Sequence, residues 1–209
     1  MKEIYAILGG NFDPIHYGHI LSAEKLAKEI SIKKIILLPN QNPPHRSKTK
    51  TPLKHKLKMM EYAIKNNNLF EISLLETKKK IFYTVETLKK IRSKIGFAKS
   101  LCFIIGEDNL NNLNFWKNWK EILLYVHLLI LPRNGIKKYD NELKKWVSLH
   151  TIKNKIHLHK KSFGYIFFSS IPSIKISSTQ IRKNFADGKS SRKFIPIEVE
   201  KYIFLKNLY

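Results

Sequence analysis

The sequence predicts a doubly wound α/β fold, a mostly parallel sheet with helices on both faces. Short runs rich in Ile and Leu alternate with segments whose apolar residues recur every three or four positions. The short runs are apolar on both alternating faces, as strands are when helices cover both sides of a sheet. The first such unit reads as strand, glycine turn, helix.

In order along the chain, IYAIL (Ile4 to Leu8) reads as a strand and HILSAEKLAKEI as the helix after it. KKIILLP (Lys33 to Pro39) is the next strand, followed by a helical LKHKLKMMEYAI, a strand FEISLL (Phe70 to Leu75), a helical TVETLKKIRSKI and a strand LCFIIG (Leu101 to Gly106). A Trp-rich segment is expected to be helical. VHLLILP (Val126 to Pro132) is the next strand, then a helical segment spans about Leu143 to Leu149, and short β-like runs lie near Ile156 and Ile166. In ISSTQIRKNF, Ser177 is followed three residues later by Gln180, a capping-box spacing that starts a helix at about Ser178 or Thr179. No linker or repeat divides the chain, so a single domain over residues 1–209 is expected. In doubly wound sheets ligands bind at the carboxyl ends of the strands, near the switch in strand order. GGNFDPIHYGH, LPNQNPPHR and GEDN all fall at strand ends of this kind.

The net charge of +23 suggests a nucleic-acid binder at first sight. Yet the charge is carried by 34 lysines scattered over every segment and only five arginines, in a chain also rich in Ile and Asn, a pattern that A+T-rich coding produces. A solvated lysine surface is therefore expected, with no specific nucleic-acid partner. Each arginine stands out instead, because its planar fork grips phosphate or carboxylate as lysine cannot. Arg46 and Arg182 both lie in stretches that look like sites. No apolar stretch approaches a membrane span and no signal-peptide pattern is present, so a soluble, cytoplasmic protein with no membrane partner is expected. The single cysteine, Cys102, sits inside LCFIIG and reads as a small buried hydrophobe, which excludes a disulfide within the chain.

Gly9 and Gly10 remove side chains where the first strand ends, so that a phosphate can approach the backbone and the N-terminus of the next helix. His16 and His19 project from one face of that helix entrance with Gly18 between them, and two imidazoles there can donate to phosphate oxygens as charge develops. The alternatives are satisfied core histidines or half of a zinc site, for which companion ligands are not evident. Near the other end, Arg182 lies four residues after Ser178, on the same face as the hydroxyls and N–H groups of a helix start, which suits a polyphosphate.

HxGH together with a late ISSTxIR resembles the signature pair of the adenylyl- and cytidylyltransferase superfamily. GGNFDPIHYGH, LLPNQNPPHR, FYTVETL, FIIGEDNL, NFWKNW and LPRNG further resemble, in order and spacing, the bacterial nicotinate-nucleotide adenylyltransferases, and the resemblance covers essentially the whole chain. It implies in-line transfer of AMP from ATP to nicotinate mononucleotide with Mg²⁺, giving deamido-NAD and pyrophosphate without a covalent intermediate. It also implies that His16 and His19 stabilise charge at the α-phosphate, and that Ser178 and Arg182 hold the β- and γ-phosphates. Gly9, Gly10 and Asn11 would line the ATP site, and Gly106 and Asp108 would contact the ribose. Trp116 would stack on the pyridine ring, main-chain N–H groups at Thr84 and Lys117 would receive its carboxylate, and Arg46 would line the substrate mouth. Donor-only contacts of this kind imply a preference for the acid over the amide mononucleotide.

From the residues alone, Trp116 and Trp119 also read as core aromatics, Asp108 as a helix N-cap and Arg46 as a solvated loop residue. Two positions depart from the family's pattern: Asn11 stands where Thr or Ser is usual, and Lys117 where a bulkier residue often follows the tryptophan. Among alternatives, pantetheine-phosphate adenylyltransferases resemble a shorter chain with threonine in place of the first histidine. Class I tRNA synthetases carry a KMSKS-like loop and a tRNA-binding domain for which this chain has no room.

Overall fold

A computed structural model of the protein describes residues 1–40, 51–75, 83–133 and 139–209. The described strands are β1 (Ile4–Gly10), β2 (Ile32–Pro39), β3 (Phe70–Ile72), β4 (Ser100–Gly106), β5 (His127–Leu131) and β6 (Ile166–Phe168). They form one sheet in the order β3-β2-β1-β4-β5-β6, and every described pairing is parallel. The helices are α1 (Tyr17–Ile30), α2 (Leu53–Ile64), α3 (Thr84–Ile95), α4 (Glu107–Leu110), α5 (Asn141–His150), α6 (Ile156–Lys160), α7 (Ser178–Ala186) and α8 (Ile197–Leu205).

Strand β1 is central, with Leu8 opposite Leu37 of β2 and Ile104 of β4. The chain winds outward from β1 to β3, then returns across the sheet to place β4 on the other side of β1. That reversal opens a crevice at the carboxyl ends of β1 and β4. The apolar character of both strand faces has a direct cause. Ala6, Leu8, Cys102 and Ile104 pack into one core with Ala23 and Leu26 of α1 and Val199 of α8. Ile7, Phe103 and Ile105 point the other way, into a second core with Leu88 of α3 and Val147 of α5. The Cys102 thiol is fully buried, which pushes its pKa up to about 12. Among the described residues, no helix is long and apolar enough to cross a membrane.

The predicted boundaries of the second and third helices match the structure, and the differences elsewhere are local. FEISLL is strand only over Phe70–Ile72; the Ser73 N–H still donates to the Leu37 carbonyl at 2.9 Å, and beyond it Ser73 Oγ accepts from the Leu75 N–H at 3.4 Å in a local turn. The segment at Ile156 is helix α6, not a strand: Asn154 Oδ1 accepts from the Ile156 N–H at 2.9 Å, an Asx turn that starts a helical turn. The Trp-rich segment is not one helix. It breaks into α4 and two 3₁₀ turns, Leu113–Phe115 and Trp119–Leu124, with extended backbone at Trp116 and left-handed backbone at Asn118. Asparagines there compete for local backbone, as when Asn112 Nδ2 donates to the Asp108 carbonyl at 2.9 Å. Helix α7 does begin at Ser178, with Ser177 as N-cap, but no side-chain cap bond forms, so the capping-box reading of Ser177 and Gln180 fails in its hydrogen bonds.

Candidate active site

The crevice at the sheet reversal is a cleft of about 1110 Å³. Every site residue predicted from the sequence that falls among the described residues lines it. From the end of β1 and the start of α1 come Gly9, Gly10, Asn11, His16 and His19, and from the end of β4 come Gly106 and Asp108. Thr84, Trp116 and Lys117 form a side wall, and Ser178 and Arg182 enter from α7. Arg46 lies outside the described residues.

His16 is the N-cap of α1 and is 3% exposed, while His19, one turn on, stays partly open to the cleft. Their rings stack with centroids 3.7 Å apart, and Phe12 meets His19 edge-on at 5.1 Å. The His16 backbone N–H donates to His19 Nδ1 at 3.3 Å. Gly18 is required by this packing, because a Cβ there would stand 2.9 Å from His16 Nδ1 and 3.2 Å from the Ile176 Cβ. Burial, with the nearby positive charge of Arg133, lowers the His16 pKa to about 4. Burial, His16 and Arg133 together hold His19 well below the ordinary histidine range. Both rings are thus neutral near pH 7, and a ring whose Nδ1 accepts carries its proton on Nε2.

Helix α7 is bound to the loop after β1 from the far end of the sequence. Arg182 Nη1 donates to the Asp13 carbonyl at 2.6 Å, and Ser178 Oγ to the Pro14 carbonyl at 3.1 Å. A second guanidinium nitrogen, Nη2, lies 3.2 Å from Thr179 Oγ1. The α7 N-terminus has no acidic residue in its first turn, and neither does α1, so two positive dipole ends meet the cleft without internal neutralisation.

The two neighbouring tryptophans have different surroundings. Trp119, partly buried, packs edge-to-face on Trp146 at 4.9 Å, whereas Trp116, on the cleft wall, meets Phe103 at 6.4 Å. Lys117 Nζ reaches Glu86 Oε1 at 2.9 Å and lies 4.3 Å from the Tyr83 ring centroid, which fastens the Trp116 segment to the first turn of α3, where Thr84 begins. Asp108 is not the N-cap of α4; that position is Gly106. Asp108 Oδ1 lies 3.9 Å from Arg133 Nε, and a Cβ on Gly106 would collide with Asp108 Oδ1.

Sequence reasoning missed two residues here. Arg133, in LPRNG, enters the cleft, and its backbone N–H donates to Glu107 Oε2 at 3.2 Å. Its signal was its rarity, being one of five arginines. Lys56 does not line the cleft, but its Nζ donates to Asn11 Oδ1 at 2.8 Å. Nothing in a chain of 34 lysines singled it out.

Among the described residues no three His, Cys, Asp or Glu side chains gather as a metal cage. The buried Asp13 carboxylate is engaged by the Tyr209 hydroxyl at 2.6 Å, and burial together with that carboxylate raises the Tyr209 pKa.

The cytidylyltransferase-like family model matches residues 7–184. A Buchnera aphidicola (subspecies Schizaphis graminum) protein named "Probable nicotinate-nucleotide adenylyltransferase" is 67% identical, over 100% of this chain and 97% of that protein. A Serratia proteamaculans protein of the same name is 39% identical, over 99% of this chain and 95% of its own length. In fold, the chain is similar to Plasmodium falciparum nicotinic acid mononucleotide adenylyltransferase complexed with NaAD, with a TM-score of 0.75 at 22% identity, covering 99% of this chain and 97% of that one. On identity across its length, and with its predicted site residues gathered on one cleft, the chain belongs to the nicotinate-nucleotide adenylyltransferase family, within the cytidylyltransferase-like group.

Proposed function

We propose that the protein transfers AMP from ATP to nicotinate mononucleotide, releasing pyrophosphate and forming deamido-NAD, and that it does so in the cytoplasm as one domain spanning residues 1–209. The observation that carries this reading is the union of the two signature halves. Arg182 and Ser178 of α7 hydrogen-bond to Asp13 and Pro14, next to His16 and His19, on one cleft.

The chemistry needs positioning and charge stabilisation rather than a protein nucleophile. A phosphate oxygen of the mononucleotide attacks the α-phosphorus of ATP, a new P–O bond forms, and the bond to the β-phosphate oxygen breaks to release pyrophosphate. His19, neutral and protonated on Nε2, donates to the α-phosphate as charge accumulates there, with His16 stacked behind it. Arg182, Ser178 and the α7 N-terminus receive the β- and γ-phosphates, the leaving group. Gly9, Gly10 and Asn11 form the floor beneath the phosphates, and Gly106 and Asp108 lie where the ribose sits. Trp116 supplies the stacking face for the pyridine ring, and the main-chain N–H groups of Thr84 and Lys117 its carboxylate donors. The resemblance assigns Arg46 to substrate binding. Mg²⁺ arriving with the nucleotide would supply charge neutralisation for the leaving group, beside Arg182 and Ser178.

The test is incubation of purified protein with ATP, Mg²⁺ and nicotinate mononucleotide. Deamido-NAD and pyrophosphate are expected in equal amounts; folded protein that yields neither refutes the reading.

A further inference from the structure

Lys56 is the one lysine that is buried among the described residues, 1% exposed on α2, and burial of an ammonium is costly unless it is well bonded. Its Nζ donates to Asn11 Oδ1 at 2.8 Å and lies 3.4 Å from the Asn40 carbonyl oxygen. Asn40 in turn donates its N–H to the Gly10 carbonyl at 2.8 Å. Lys56 thus ties the ends of β1 and β2 together. Asn11 and Asn40 line the cleft while Lys56 does not, so Lys56 stands behind the cleft wall and holds residues that face the ligand, Asn11 among them. Burial lowers the Lys56 pKa, and the nearby buried Asp13 carboxylate opposes that shift and favours the ammonium.

A carboxamide can present either its oxygen or its NH₂ group to a ligand. An ammonium has three donors and no acceptor, so it accepts only one of the two flips: Oδ1 toward Lys56 and NH₂ away from it. For a polyphosphate the difference decides the sign of the contact, because the oxygen would repel a phosphate oxygen and the NH₂ donates to it. We infer that Lys56 is a positioning residue for the nucleotide, fixing Asn11 so that its side-chain NH₂ donates to a phosphate oxygen of ATP. The inference rests on the proposed use of ATP. It explains how an asparagine serves at a position where the resembled family has a hydroxyl.

The experiment measures ATP binding calorimetrically with Mg²⁺ and no acceptor present. Asn11→Ala is expected to weaken ATP about tenfold, as loss of a charge-assisted hydrogen bond does. The nearly isosteric Asn11→Asp, which keeps an oxygen for Lys56 but turns an acceptor toward the phosphates, is expected to weaken it further. Lys56→Met is expected to weaken ATP about as much as Asn11→Ala, and to weaken it clearly less in the Asn11→Ala background than alone, since part of its effect passes through that side chain. Lys56→Arg should restore most of the loss. Should Lys56→Met fail to fold, the comparison of Asn11→Asp with Asn11→Ala still decides. Asn11→Asp binding ATP like the wild type overturns the inference, and so does a Lys56→Met loss of equal size in both backgrounds. Wild-type protein that binds ATP but does not adenylylate nicotinate mononucleotide overturns the proposed function and leaves this inference standing; protein that does not bind ATP overturns both.

Discussion

The backbone N–H of His16 donates to Nδ1 of His19 at 3.3 Å, and the two imidazoles stack 3.7 Å apart. The backbone bond selects the tautomer of His19, and the low pKa keeps that ring neutral with Nε2–H as its remaining donor. A preset donor of this kind stabilises charge that appears only in the transition state. His19→Ala should therefore lower kcat by about a hundredfold or more while changing the ATP dissociation constant much less. Steady-state kinetics with direct ATP-binding measurements check this, and an equal loss in binding and turnover would show that His19 only binds the ground state.

Gly18→Ala should damage the site without unfolding the chain. The added Cβ would press on His16 Nδ1 at 2.9 Å and on Ile176 at 3.2 Å, so the ring must move. Displacement of a catalytic group by even part of an ångström lowers rates steeply, and a loss of about 10- to 100-fold in kcat is expected. Circular dichroism should stay that of the wild type; unchanged turnover would show that the ring position is not critical.

Arg182→Lys should lower kcat/KM for ATP by about tenfold or more. The guanidinium holds the Asp13 carbonyl at 2.6 Å and has further nitrogens for phosphate oxygens, whereas an ammonium is a single point charge. Retention of wild-type kcat/KM in the lysine variant would remove Arg182 from the phosphate site.

His127 makes the fold acid-sensitive. It is fully buried, its Nδ1 accepts from the Tyr165 N–H at 3.1 Å, and its Nε2 lies 3.2 Å from the Lys161 carbonyl, a pattern that only the neutral ring satisfies. Burial is the main cause that lowers its pKa to about 4, against an ordinary value of 6.5. Between those values the unfolded chain binds the proton and the folded chain does not, so stability is fully present above about pH 6.5 and falls as pH drops toward 4. His16, lowered to about 4 in the same way, adds to the slope. Denaturant unfolding of His127→Gln across this range should show a shallower pH dependence than the wild type; an identical slope would contradict the assignment.

Much of the fold was legible because the sheet is buried on both faces. Strands such as LCFIIG are then continuous apolar runs, and the amphipathic LKHKLKMMEYAI and TVETLKKIRSKI between them match α2 and α3 end to end. Short elements were not legible where one side chain decides the outcome. Asn154 starts a helix at an apolar Ile156 that reads as a strand, and the asparagines around Trp116 break what the apolar spacing reads as one helix. The site was legible where its chemistry needs rare residue types: His16, His19 and Arg182 stand out in a lysine-rich chain. Lys56 does not, since burial, not identity, distinguishes it from the other lysines, and burial is set by how α2 packs against β3 and α8. Arg92 shows the converse. It is as rare as Arg182, yet its guanidinium donates to the carbonyl oxygens of Tyr125, Gly96, Lys99 and Ser162, away from the cleft.

In the proposed reaction this cleft adenylylates nicotinate mononucleotide, with the acid selected by N–H donors at Thr84 and Lys117 against the Trp116 face. Its most direct test is pyrophosphate release from ATP with nicotinate mononucleotide, nicotinamide mononucleotide or phosphopantetheine as the sole acceptor, compared as kcat/KM. A carboxylate satisfies two donors, whereas a carboxamide turns its NH₂ toward one of them, a mismatch worth roughly a hundredfold. Turnover is expected with the acid, with about a hundredfold less for the amide and none for phosphopantetheine. Equal or greater efficiency with the amide would contradict the donor-only pocket, and release with phosphopantetheine alone would contradict the account as a whole.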